Sequence, residues 1–82
     1  MYELIFSDIA LKQLEKLPRE IQERILATLE RIRPRPESYL KKLIGVRGYR
    51  LRVGDYRVIV DVDGNRLAIL VLTMGHRKNI YK

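Results

Sequence analysis

The sequence predicts one α+β domain over residues 1–82, ordered βααβββ, with a two-helix hairpin packed on one face of a small, largely antiparallel, twisted sheet. Three observations predict it. Residues 8–32 carry two apolar stripes of helical period, separated by Pro18. From Tyr49 onward the period drops to two. Gly54-Asp55 and Asp63-Gly64 then break the alternating stretch into hairpins.

Each element follows from its residues. Tyr2, Leu4 and Phe6 alternate with Glu3 and Ile5, which makes a short first strand. Ser7 is placed to cap a helix whose stripe is Ala10, Leu14 and Leu17. Pro18 ends that helix, and its fixed φ suits the first turn of the next. Ile21, Ile25, Leu29 and Ile32 form the second stripe, and Pro34 and Pro36 stop it. Strands are expected at Tyr49–Val53, at Tyr56–Val62 and from Arg66 to Met74. The last is nearly continuous in apolar residues and so is expected at the centre of the sheet. Gly75 permits a bend that carries the tail away from that strand.

Composition narrows the function. At 82 residues the chain supports one core. With no cysteine it has neither disulfides nor thiol chemistry, and its one histidine argues against a histidine-rich metal site. No signal peptide opens the sequence, and the longest apolar run, residues 67–72, is too short to span a bilayer, so a cytoplasmic location with no membrane partner is expected. The net charge is +7. Residues 1–34 carry six basic and six acidic side chains, while residues 35–82 carry eleven and four, so all the excess lies in the second half. Such asymmetry points to a polyanionic partner met by one region of the surface.

A two-residue turn at Gly54-Asp55 sets Val53 opposite Tyr56, Arg52 opposite Arg57 and Leu51 opposite Val58. Tyr49, Leu51, Val53, Tyr56, Val58 and Val60 then share the core face, and Arg50, Arg52 and Arg57 share the other. Like charges directly opposite destabilise a sheet. Asp61, one of the nearby acids, is expected to lie opposite Arg66 and so to be engaged elsewhere. An anion seated among the three arginines justifies the arrangement, because guanidinium is a planar fork that matches phosphate and stays charged. A solvated arginine face is the plainer alternative. The tail adds His76, a lone imidazole, and Tyr81, a phenolic hydroxyl and stacking surface, as the acid–base candidates, neither of them strong. Neighbouring arginines would favour the tyrosine phenolate.

Leu43-Ile44-Gly45, Tyr49-Arg50-Leu51-Arg52-Val53, Asp55-Tyr56-Arg57-Val58, Gly75-His76-Arg77 and Tyr81, in that order, resemble the RelE branch of the RelE/ParE toxin superfamily. The opening Ala10-Leu11-Lys12-Gln13-Leu14-Glu15-Lys16-Leu17 resembles that family's first helix, and the likeness covers nearly the whole chain. The resemblance implies the toxin of a type II toxin–antitoxin system. Such a toxin is an endoribonuclease that cleaves mRNA in the ribosomal A site by metal-independent 2′-hydroxyl attack and needs no cofactor. Its partners would be the ribosome, mRNA and a cognate RelB-like antitoxin, the last in a heterodimer or heterotetramer. The positions matching the family's functional residues are Arg50, Arg52, Arg57, Arg77 and Tyr81, with His76 a subsidiary candidate. Lys41, Lys42, Arg47, Arg66 and Lys78 are the expected RNA-binding set. In the best-known pattern the positions of Arg50 and Arg52 often carry lysine. Arginine cannot lose its proton, so no general base is available at those two positions.

Two other readings share this fold: a ParE-like DNA gyrase inhibitor, and an RNA- or ribosome-binding module without catalysis. A metal-dependent nuclease fits poorly, since Glu37, Asp55, Asp61 and Asp63 form no evident cluster.

Overall fold

In the computed structural model, which describes residues 1–80, the chain opens as a strand β1 (Glu3–Phe6). Tyr2, Leu4 and Phe6 turn inward from it onto the core. Ser7 ends the strand and caps α1 (Asp8–Glu15), its hydroxyl accepting from the Ala10 N–H at 3.0 Å. The same hydroxyl donates to the Leu72 carbonyl at 2.8 Å, so the cap also ties the helix to the sheet. Pro18 stands one position earlier than expected, as the N-cap of α2 (Arg19–Ile32) with extended ψ. A proline cannot donate, and at the N-cap nothing is lost by that.

Past α2 a single 3₁₀ turn at Pro36–Ser38 leads into a two-residue strand, β2 (Lys41–Lys42). The expected order βααβββ therefore gains a fifth strand, too short for any period to reveal. Then come β3 (Tyr49–Val53), β4 (Tyr56–Asp63), β5 (Ala68–His76) and a final turn of helix, α3 (Arg77–Ile80). The sheet runs β1-β5-β4-β3-β2, with β1 parallel to β5 and every other pair antiparallel. The α+β class holds, and β5 lies between two strands as its apolar run requires.

One face of the sheet is covered by the helices. Ala10 and Leu14 of α1 and Ile25, Leu29 and Ile32 of α2 are buried against Leu51, Val53, Val58, Val60, Ile69, Val71 and Met74. Between β4 and β5 the pairing steps from Ile59–Thr73 to Val60–Val71, which leaves Leu72 as an extra residue. That bulge lets Val71 and Met74 both face the helices.

The β3–β4 hairpin has the predicted register, with Gly54 at φ +59 in the first central position of the turn. The second hairpin does not. Its connection is four residues, Gly64 to Leu67, closed by Asp63 and Ala68. The Asp63 carboxylate accepts from the amides of Asn65 and Arg66 at 3.1 and 3.2 Å and holds the longer loop, with Leu67 in the left-handed region at φ +53. Asp61 consequently pairs with Leu70 rather than Arg66. β5 also runs straight through Gly75 to His76, correcting the expected bend.

Candidate functional site

Alternation along β3 and β4 sends Arg50, Arg52 and Arg57 to the face that no helix covers. Arg52 is exposed and lies directly across from Arg57, itself half-buried between its neighbours; Arg50 is half-buried beside Ile59. Lys41 pairs with Arg50 from β2 and so extends the same face, whereas Lys42 pairs with Tyr49 on the helix side. No carboxylate of the described residues comes within ion-pair distance of Arg50 or Arg52. The sheet register alone brings Arg50 and Arg52 onto one face.

Arg77 follows at the end of β5. Gly75 sits opposite Arg57, and the Arg77 amide donates to the Asp55 carbonyl at 2.9 Å. The start of α3 is thus fastened to the β3–β4 turn, next to the arginine pair. Beyond the end of β1, the outer edge of β5 is held by Gln13 of α1, whose Oε1 accepts from the Met74 amide at 2.7 Å and the Thr73 hydroxyl at 2.9 Å. Nothing in the spacing of α1 distinguishes Gln13 from a solvated polar residue.

Other expected members lie elsewhere. His76 pairs with Tyr56, on the helix side of the sheet, and meets that ring edge-on at 5.5 Å. Its Nδ1 accepts from the Lys78 amide at 3.3 Å, at the start of α3. Arg66 belongs to the loop at the far end of β4, where its guanidinium lies 3.8 Å from Asp63. Six residues of strand, roughly 20 Å, separate Asp63 from Arg57. Arg47 is engaged by Asp61 at 3.2 Å. Lys78 is exposed on α3. Tyr81 lies outside the described residues. Among the described residues no group of three or more His, Asp or Glu side chains is arranged to hold a metal ion, and no helix is long and apolar enough to cross a membrane.

A family model described as the ParE toxin of type II toxin–antitoxin systems matches residues 4–81. Toxin RelE3 of Methanocaldococcus jannaschii is 31% identical over 84 residues, covering 95% of this chain and 93% of its own. In the archaeal RelE–RelB complex of Pyrococcus horikoshii, the matched chain superposes with a TM-score of 0.78 at 29% identity, over 95% of this chain and 97% of that one. The fold is also that of the RelBE2 toxin–antitoxin complex from Mycobacterium tuberculosis, with a TM-score of 0.86 at 24% identity over 93% and 98% of the two chains.

Proposed function

The chain belongs to the RelE/ParE family of type II toxins, and from that premise we propose that it is an endoribonuclease cleaving mRNA in the ribosomal A site. One observation carries the reading: Arg52 faces Arg57, with Arg50 on the same open face and no carboxylate paired to Arg50 or Arg52. A phosphate among these guanidiniums turns a repulsive arrangement into a matched one.

The chemistry follows from what these groups can do. The ribose 2′-hydroxyl attacks the adjacent phosphorus in line, the bond to the 5′-oxygen breaks, and a 2′,3′-cyclic phosphate and a free 5′-hydroxyl result. Arg50, Arg52 and Arg57 hold the phosphate and stabilise charge gathering on its oxygens. Arg77, fastened beside the pair, stabilises the charge on the departing oxygen, which takes its proton from water. Since arginine cannot serve as base, the proton of the 2′-hydroxyl falls to Tyr81 or to a group of the ribosome. The proposed mechanism gives His76, on the other face, no step. Orienting the message on the ribosome supplies much of what a site without a strong base lacks, since positioning can be worth several kcal/mol. A RelB-like antitoxin is the proposed partner, as in the relatives solved as toxin–antitoxin complexes, and the cytoplasm, where ribosomes are, is the proposed location.

The test is the chemistry of the ends. Message recovered from programmed ribosomes after exposure to the toxin should carry a 2′,3′-cyclic phosphate upstream of the cut. Cleavage that chelation abolishes and Mg²⁺ restores, with ribosomes kept intact, would contradict it. The match to the ParE model favours a second reading, inhibition of DNA gyrase by protein contact. DNA breaks on expression with intact mRNA would select it.

A further inference from the structure

The outer edge of β5 has a strand beside it only as far as Val71, where β1 ends with Phe6. Beyond that point side chains from α1 and its cap stand in for a strand. The Ser7 hydroxyl donates to the Leu72 carbonyl at 2.8 Å, and Gln13 Oε1 accepts from the Met74 amide at 2.7 Å. An amide N–H can only donate, so the atom facing it is the carboxamide oxygen. The Thr73 hydroxyl donates to the same oxygen at 2.9 Å. Successive residues of a strand direct their amides to opposite edges. With Met74 turned outward to Gln13, its neighbours Thr73 and Gly75 turn inward to β4, where they sit opposite Ile59 and Arg57. Two residues past Gly75, the Arg77 amide donates to the Asp55 carbonyl at 2.9 Å. Residues 74–77 thus run between two anchors, Gln13 on the outer edge and the β3–β4 turn at the far end.

We propose that Gln13 is a positioning residue for RNA cleavage: through Met74 it sets where Arg77 stands relative to Arg57. The inference rests on the cleavage reading above. Gln13 belongs to the helix layer and touches no substrate in that reading. It is also neutral, so removing it changes no charge at the site, and any effect on rate comes through geometry. Geometry is what a guanidinium at a departing oxygen depends on, since a donor must meet the place where charge develops. Without Gln13 the Met74 amide loses its acceptor, and the nearest hold on that edge is Ser7, two residues back at Leu72. Arg77 would then be placed by β4 and the Asp55 carbonyl alone. A displacement of about 1 Å is enough to cost a hundredfold in rate.

The experiment measures single-turnover cleavage of message on programmed ribosomes with toxin saturating, and ribosome affinity separately, at a temperature where every variant is folded. Gln13→Leu keeps the bulk of the side chain and lacks the acceptor. It should cut roughly ten- to a hundredfold more slowly, with ribosome affinity within about twofold of the wild type. Gln13→Asn, whose oxygen stops one carbon short, serves the same purpose where Gln13→Leu does not fold. Gln13→Glu, whose carboxylate accepts from the same two donors, should recover most of the rate. The decisive comparison is in Arg77→Ala, where adding Gln13→Leu should cost no more than about twofold, because the group it positions is gone. An equal fractional loss in both backgrounds would overturn the proposal and assign Gln13 to the whole fold. Gln13→Glu as slow as Gln13→Leu would overturn it too, since the oxygen would not be what counts. Wild-type toxin that leaves the message whole removes the cleavage reading and this inference together. Wild-type cutting alongside full-rate Gln13→Leu removes this inference alone.

Discussion

Like charges set directly across a strand pair, as Arg52 and Arg57 are, cost a sheet stability by some tenths of a kcal/mol. Arg52→Thr removes that repulsion and puts a β-branched residue on the strand. The urea midpoint should therefore rise, by about 0.5 kcal/mol in stability, while binding to ribosomes or RNA weakens. A variant less stable than the wild type would mean that the pair is not strained in the free protein. A stricter residue is Gly48, at φ +127, where an added Cβ would stand 3.1 Å from the Val60 carbonyl oxygen. Gly48→Ala should destabilise by about 1–3 kcal/mol in denaturant unfolding. The arginine trio was legible because a two-residue turn fixes which side chains meet. His76 falls on the helix side opposite Tyr56 because a bulge at Leu72 shifts the parity of the end of β5, which no sequence period marks. A two-residue turn at Asp63-Gly64 sets Asp61 opposite Arg66, whereas the longer loop leaves Asp61 to pair with Arg47.

At the level of elements, the stripes of both helices, the strands β1, β3 and β4 and the first hairpin could be read from period and turn chemistry alone. The second hairpin could not, because Asp63-Gly64 resembles a two-residue turn until the Asp63 carboxylate is seen gathering two further amides. Nor could β2, since two residues carry no period. The element that matters most to the site is the end of β5, which runs past β1 and is held there by α1. Gln13→Ala leaves the Met74 amide without its acceptor, at a cost of about 1–3 kcal/mol. Hydrogen exchange at Met74 and Arg77 should quicken more than at the core of β4. Uniform quickening would mean that Gln13 supports the whole fold and not this extension.

For the whole molecule, a neutral first half builds the cover and a basic second half builds the open face. This separation is the sequence's own reason to expect a polyanionic partner. Affinity for RNA or ribosomes should consequently fall steeply with salt, and each arginine removed from the face should lower the slope of log K against log salt by roughly 0.7–0.9. Arg66→Ala, at the far end of β4, should leave the slope nearly unchanged; an equal loss there would mean that net charge binds the partner, not the face. The most direct test of the central claim is primer extension on message held by programmed ribosomes, comparing the wild type with Arg57→Ala. The cationic-face account predicts cuts in the A-site codon by the wild type and about a hundredfold fewer by the variant, the scale of losing one transition-state contact. Cutting by Arg57→Ala at the wild-type rate, or wild-type toxin that binds ribosomes and leaves the message whole, would contradict it.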